Sequence, residues 1–248
     1  MQWCQFSLCL AALKLTLADN LTISLKESNV SDSLSLVGQR CGTKSLTVAE
    51  MACNHQLLSS MVTLDKVVLQ DVKIPVYFHI IRDSKDKILV PSKVIYKQIE
   101  VLNHAYRQTG FSFMLKKVIK TKNDGWSSLN FGSSQEEEMK NYLHKGNAGS
   151  LNIYTIINPK GILGWATFPS GYESAPTLDG IVLDSRTLPG GSMYPYDEGA
   201  TLAHEVGHWL GLYHTFQGGC EVKAKNGDLI VDTPAVASPN FGCPSKKN

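Results

Sequence analysis

Between residues 200 and 216 the chain reads ATLAHEVGHWLGLYHTF, and the spacing of three histidines there constrains the fold more than any other stretch. His204 and His208 are four residues apart, so on an α-helix they share one face, about 6 Å apart along the axis. His214 cannot join them while the helix continues, because it would lie about 9 Å beyond His208 and rotated by roughly 120°. The helix must therefore stop. Gly211 is the residue able to take the left-handed conformation that stops it and folds His214 back toward the other two.

Three converging imidazoles need a reason to be together. Leu202, Ala203, Val206, Leu210 and Leu212 surround them with apolar residues, and buried imidazoles in such company require a partner. Zinc accepts such nitrogens at roughly 2.0–2.1 Å and, in catalytic sites, leaves one position open for water. Zinc lowers the pKa of that water toward neutrality; Glu205, next to the first ligand, can take its proton and hand it to a leaving amine. His204, His208 and His214 are thus the expected zinc ligands, Glu205 the expected base, and peptide hydrolysis the expected reaction. His55, His79, His104 and His144 are scattered and read as ordinary histidines.

At 248 residues and 43% hydrophobic, the chain can bury a real core and fits one catalytic domain plus a leader segment. A formal net charge of +2, with no basic block and no acidic tail, implies neither nucleic acid nor an anionic membrane as a partner. No apolar run is long enough to span a bilayer. Residues 72–81 (VKIPVYFHII) predict a strand, with Pro75 at an edge position or a bulge. Residues 92–109 carry Val94, Ile95, Gln98, Ile99, Leu102 and Tyr106 at helical spacing and stop at Gly110. Strands are expected at 111–119, 151–157, 162–168 and 181–183, and short helices at 48–58 and 135–144. The run Glu136-Glu137-Glu138 reads as a solvated first turn. This order predicts an α/β (α+β) domain with a twisted mixed sheet and an active-site helix.

The N-terminus reads as a signal peptide over residues 1–18: an apolar stretch at 6–13, then Thr16-Leu17-Ala18 as a small-residue cleavage site. The absence of Lys or Arg before it, and Lys14 within it, leave an intracellular peptidase as a competing reading. Sequons at Asn20 and Asn29 fit glycosylation on a secretory route. Residues 19–70 read as a propeptide-like segment, loosely structured to about Gly38, and 71–248 as the metallopeptidase domain. With the signal removed, Cys41, Cys53, Cys220 and Cys243 remain, and four cysteines allow three pairings.

The elongated zinc motif resembles the metzincin clan. HEVGHWLGLYHTFQGGC, followed by Gly227-Asp228, Asp232-Thr233-Pro234 and Gly242-Cys243-Pro244, is similar to the pappalysin family, especially its secreted fungal extracellular metalloproteases. Strand 72–81, Asn103-His104-Ala105-Tyr106, Leu151-Asn152-Ile153-Tyr154 and Leu188-Pro189-Gly190-Gly191 fit the same pattern, from about Arg40 onward. The resemblance implies a zincin-like fold and protein or peptide substrates; a monomer, and an extracellular location through the signal peptide, are the accompanying expectations. The resemblance also implies that Arg40-Cys41-Gly42-Thr43 is a latency motif, in which the Cys41 thiolate occupies the open zinc position. A disulfide role for Cys41 is the other reading. Asp228 and the Thr233 region match a calcium-binding loop in family members, beside the simpler reading of a turn at Asn226-Gly227-Asp228. The strand near Gly164-Trp165 is the edge along which extended substrate would pair.

One departure stands against these matches. Metzincins place a methionine turn below the zinc, downstream of the third histidine, whereas here the methionines are Met1, Met51, Met61, Met114, Met139 and Met193. The expectation is a domain truncated before its Met-turn. In relatives the partners of Cys220 and Cys243 lie in the segment beyond; a Cys220–Cys243 bridge is the alternative. Two functional readings follow: an active secreted endopeptidase made as a zymogen, or a truncated zinc-binding pseudoenzyme that binds peptides without turnover.

Overall fold

The computed structural model describes residues 40–47, 50–51, 54, 71–85, 90–220, 227–230 and 232–240. The expected signal peptide, the sequons at Asn20 and Asn29, Cys53 and Cys243 lie outside them, as does most of the helix expected at 48–58.

Five strands form one sheet: β1 (Val72–Arg82), β2 (Phe111–Lys122), β3 (Leu151–Ile156), β4 (Gly164–Ala166) and β5 (Ile181–Asp184), in the order β2-β1-β3-β5-β4. All neighbours are parallel except β4, which runs antiparallel to β5 at the sheet edge. The sheet is mixed, as expected. β1 is central rather than at an edge, but β3 pairs with it only from Val76 onward, and the β1–β2 register shifts between Val76 and Tyr77. Pro75, which has no N–H to donate, therefore sits beside one neighbour and next to a bulge.

Alternation along the strands divides the core in two. Ile74, Val76, Phe78 and Ile80 of β1 pack with Ile95, Ile99 and Leu102 of α1 (Ser92–Ala105) and with Leu202 and Val206 of α4 (Ala200–Trp209). On the other face Ile81, Tyr154, Ile156, Trp165 and Val182 pack with Trp126 of α2 (Asp124–Ser127) and with Met139 and Leu143 of α3 (Ser134–Leu143). α1 stops at Ala105, short of the expected 109. Tyr106 leaves the helical conformation, and its hydroxyl donates to the Ala203 carbonyl at 2.9 Å, tying α1 to α4.

The acidic run of α3 differs from its sequence reading. Glu137 and Glu138 are exposed, but Glu136 is buried, 2.9 Å from the Nζ of Lys140, itself only 2% exposed. Glu136 also accepts from the Trp165 indole N–H at 2.7 Å and from the Gly132 N–H at 2.9 Å. An ion pair with two further hydrogen bonds offsets the desolvation of both charges, and it anchors β4 from below.

Candidate metal centre

α4 ends as the histidine spacing requires. The N–H of Leu212 bonds to the Gly207 carbonyl at 2.8 Å and that of Gly211 to the His208 carbonyl at 2.9 Å. This 6→1, 5→2 pair is a Schellman cap. Gly211 has φ of 103°, where a side chain would be strained. The reversed chain brings His214 back, so that the Nε2 of His208 lies 3.1 Å from the Nε2 of His204 and 3.1 Å from that of His214. The Nδ1 of His208 lies 2.7 Å from the Leu212 carbonyl oxygen. A carbonyl can only accept, so Nδ1 carries the proton and Nε2 keeps its lone pair. The cap that ends the helix thus also sets the tautomer.

Aromatic rings hold the other faces. Phe216 stacks on His214 with centroids 4.8 Å apart and planes 12° from parallel, and Phe168 meets His208 edge-on at 5.6 Å. Burial holds His204 below the ordinary histidine range. Burial also depresses His208 and His214 to about 4, helped by the neighbouring imidazoles. Neutral imidazoles with free lone pairs are what a metal site needs.

A fourth donor comes from far away in sequence. The sulfur of Cys41 and the ring nitrogens of the three histidines lie within 4.8 Å of one another, and no second such cluster of His, Cys, Asp or Glu occurs among the described residues. Three neutral imidazoles and one thiol fit a tetrahedral zinc ion better than a hard, oxygen-seeking cation. Burial and then the charge of Glu205 push the Cys41 thiol up to about 12. A divalent cation among these donors would reverse that sign, since a coordinating thiol is deprotonated.

Cys41 is placed by the strand edge. The Gly42 N–H donates to the Gly164 carbonyl at 2.9 Å and the Leu163 N–H to the Arg40 carbonyl at 2.8 Å, with Cys41 bridged to Gly164 in parallel. The Arg40 guanidinium lies 4.6 Å above the Tyr196 ring. These contacts lie in a cleft of about 860 Å³ also lined by His204, Glu205, His214 and Phe216. Glu205 is fully buried, and burial raises its carboxyl to about 7, opposed by hydrogen bonds from Thr43 and Cys41.

Of the other expected site residues, the described ones, Cys220, Asp228 and Thr233, are not part of this cluster. The Oδ1 of Asp228 accepts from the Ile230 N–H at 3.0 Å, and the Thr233 N–H bonds to the Ile230 carbonyl at 3.2 Å. An Asx turn accounts for the first contact and a β-turn for the second, with residues 221–226 outside the described set. Cys220 is exposed, its sulfur 3.6 Å from the Ala235 carbonyl oxygen. Thr43 enters the sequence reading only as the last residue of the 40–43 motif; the contact of its hydroxyl with the Glu205 carboxylate at 2.9 Å, and the stacking of Phe216 on His214, were not expected.

The family described as pregnancy-associated plasma protein-A, peptidase family M43, matches residues 137–246. Among curated relatives, an extracellular metalloprotease of Arthroderma benhamiae is 44% identical over 186 residues, covering 72% of this chain and 60% of the relative. One from Colletotrichum graminicola is 35% identical over 225 residues, covering 86% of this chain and 78% of the relative. The chain spans about 60% of the length of the first of these relatives. Among solved structures, Tannerella forsythia mature mirolysin in complex with a cleaved peptide superposes with a TM-score of 0.56 at 26% identity, over 71% of this chain and 76% of that one. A promirolysin mutant from the same organism gives 0.61 at 24% identity, over 84% and 80%, a likeness of fold. With a relative 35% identical and matched over 78% of its length, the chain belongs to the pappalysin family of metzincin-like metallopeptidases, peptidase family M43.

Proposed function

We propose that this chain is the catalytic region, with its pro-segment, of a secreted zinc-dependent endopeptidase acting on protein or peptide substrates. The observation that carries the reading is the convergence of three Nε2 atoms beside a buried carboxylate on the helix that supplies two of them. His204, His208 and His214 would hold the ion. Bound there, zinc supplies polarisation of a substrate carbonyl and a water of lowered pKa. Glu205 accepts the proton of the attacking water on a carboxylate oxygen and returns it to the nitrogen of the leaving peptide. Burial raises this carboxyl, which strengthens it as an acceptor for the proton of the water.

The outer edge of β4 would receive substrate as an added strand, through Leu163 N–H, the Gly164 carbonyl and Ala166 N–H. In this structure residues 40–43 take those groups. That occupation, and the position of the Cys41 sulfur among the imidazoles, support reading residues 40–43 as an inhibitory pro-segment whose thiolate takes the fourth metal position. Secretion is supported by the relatives, which are named extracellular metalloproteases.

The test is to load the 248-residue chain with zinc and follow cleavage of an unfolded protein substrate by wild type, Cys41→Ser, and Cys41→Ser with Glu205→Ala. Activity that appears with Cys41→Ser and falls at least a thousandfold on adding Glu205→Ala is the expected result. One equivalent of zinc bound, with all three chains equally silent, would overturn the peptidase reading in favour of a zinc-binding protein without turnover.

A further inference from the structure

We infer that Thr43 is a second lock on this site, one that acts on the base rather than on the metal. The Thr43 side chain is buried, 5% exposed, and its hydroxyl oxygen lies 2.9 Å from the Oε2 of Glu205 and 2.9 Å from the backbone nitrogen of Ala166. The direction of both bonds follows from chemistry. The Ala166 N–H can only donate, so the hydroxyl oxygen accepts there. Its one proton is then left for Glu205, whose carboxylate accepts it.

Two things that catalysis requires are thereby withheld. Oε2 is also the oxygen that the Cys41 sulfur approaches, at 3.6 Å, while Oε1 is buried without a hydrogen-bond partner among the described residues. Oε2, the carboxylate oxygen turned toward the pro-segment, is therefore the one already engaged, and a water approaching it would have to displace the threonine. Ala166 N–H is the next edge donor of β4 beyond the two groups paired to Arg40 and Gly42. Thr43 caps it with a side-chain oxygen, at the position where a substrate carbonyl would bond. Gly42 makes this close approach feasible: a β-carbon there would come within 3.1 Å of Ile162 and 3.4 Å of Trp165. The pro-segment thus stays hooked to the base and to the strand edge even when its thiol is removed.

The inference rests on the reading of Glu205 as base and of residues 40–43 as pro-segment, so its test does not depend on turnover alone. In the zinc-loaded chain, alkylation of Cys41 by iodoacetamide is followed by peptide mapping for wild type, Thr43→Val and Thr43→Ser. Thr43→Val keeps the shape and removes the hydroxyl. It is expected to speed labelling about tenfold or more, the loss of one hydrogen bond to a charged group, and Thr43→Ser to restore the slow rate. Cleavage by Cys41→Ser is then compared with that by Cys41→Ser carrying Thr43→Val. The second is expected to be about tenfold more active. Labelling of Thr43→Val at the wild-type rate, or equal acceleration in Thr43→Ser, would overturn the lock. Slow labelling restored by serine, in a chain that never cleaves, would keep the lock and sink the peptidase reading instead.

Discussion

Gly164 and Glu205 stand so close that a β-carbon on Gly164 would lie 3.0 Å from the Cγ of Glu205 and 3.2 Å from the Val182 carbonyl oxygen. The proposed base is packed against the backbone of the strand that substrate would join. Gly164→Ala should therefore push Glu205 off its position rather than disturb the imidazoles. We expect kcat to fall about a hundredfold with zinc stoichiometry unchanged, and a stability loss of about 1–3 kcal/mol from overpacking. Wild-type kcat with wild-type stability would refute the contact.

His214 stands beyond the helix, and the stacked Phe216 ring lies directly against it. Phe216→Ala should loosen that ligand and weaken zinc binding about tenfold or more, as losses of supporting groups around metal ligands do. Phe216→Tyr should not. Competition against a chelator of known affinity measures both.

His79 is fully buried against Tyr154, with ring centroids 4.6 Å apart, and its Nε2 lies 3.0 Å from the Asn152 Oδ1. Burial lowers its pKa to about 4, against an ordinary value near 6.5. Between those values the unfolded chain binds a proton that the folded chain refuses, so stability falls as pH falls through that window, by up to about 3 kcal/mol from this group. His79→Phe should flatten the decline of unfolding free energy between pH 7 and 4, measured by denaturant titration. An unchanged slope would count against a neutral, buried His79.

The Glu136–Lys140 pair supports β4 through the Trp165 indole. Glu136→Ala leaves a buried ammonium without its partner and should cost about 3–5 kcal/mol. Replacing both, as Glu136→Leu with Lys140→Met, should recover most of that loss, because the two effects share one interaction. Simple additivity in denaturant unfolding would show that the pair is not coupled.

The three-histidine arrangement was legible in the sequence because everything that makes it is local. The i, i+4 spacing, the helix geometry and the conformational freedom of Gly211 act within about one dozen residues, and the Schellman cap around Gly211 realises them. Strand and helix positions were legible for the same reason, through periodicity. The end of α1 was not, because Tyr106 leaves the helix to reach the Ala203 carbonyl, 97 residues away. Nor was the burial of Glu136, since an acidic run looks the same whether it faces water or an indole N–H.

Cys41 lies 164 residues from Glu205 in the chain. Its two sequence readings, latency thiol and disulfide cysteine, could not be separated by composition or spacing. What brings it to the imidazoles is the pairing of Arg40 and Gly42 with the edge of β4, and the same pairing delivers the Thr43 hydroxyl to Glu205. The sequence by itself pointed to three imidazoles and a carboxylate meeting around one helix end, since the i, i+4 spacing and the Gly211 turn act over a few residues. Only the tertiary structure decided what stands opposite them. Sheet order and strand register are set by burial summed over the whole domain, and no local spacing encodes which distant segment will lie along an open edge.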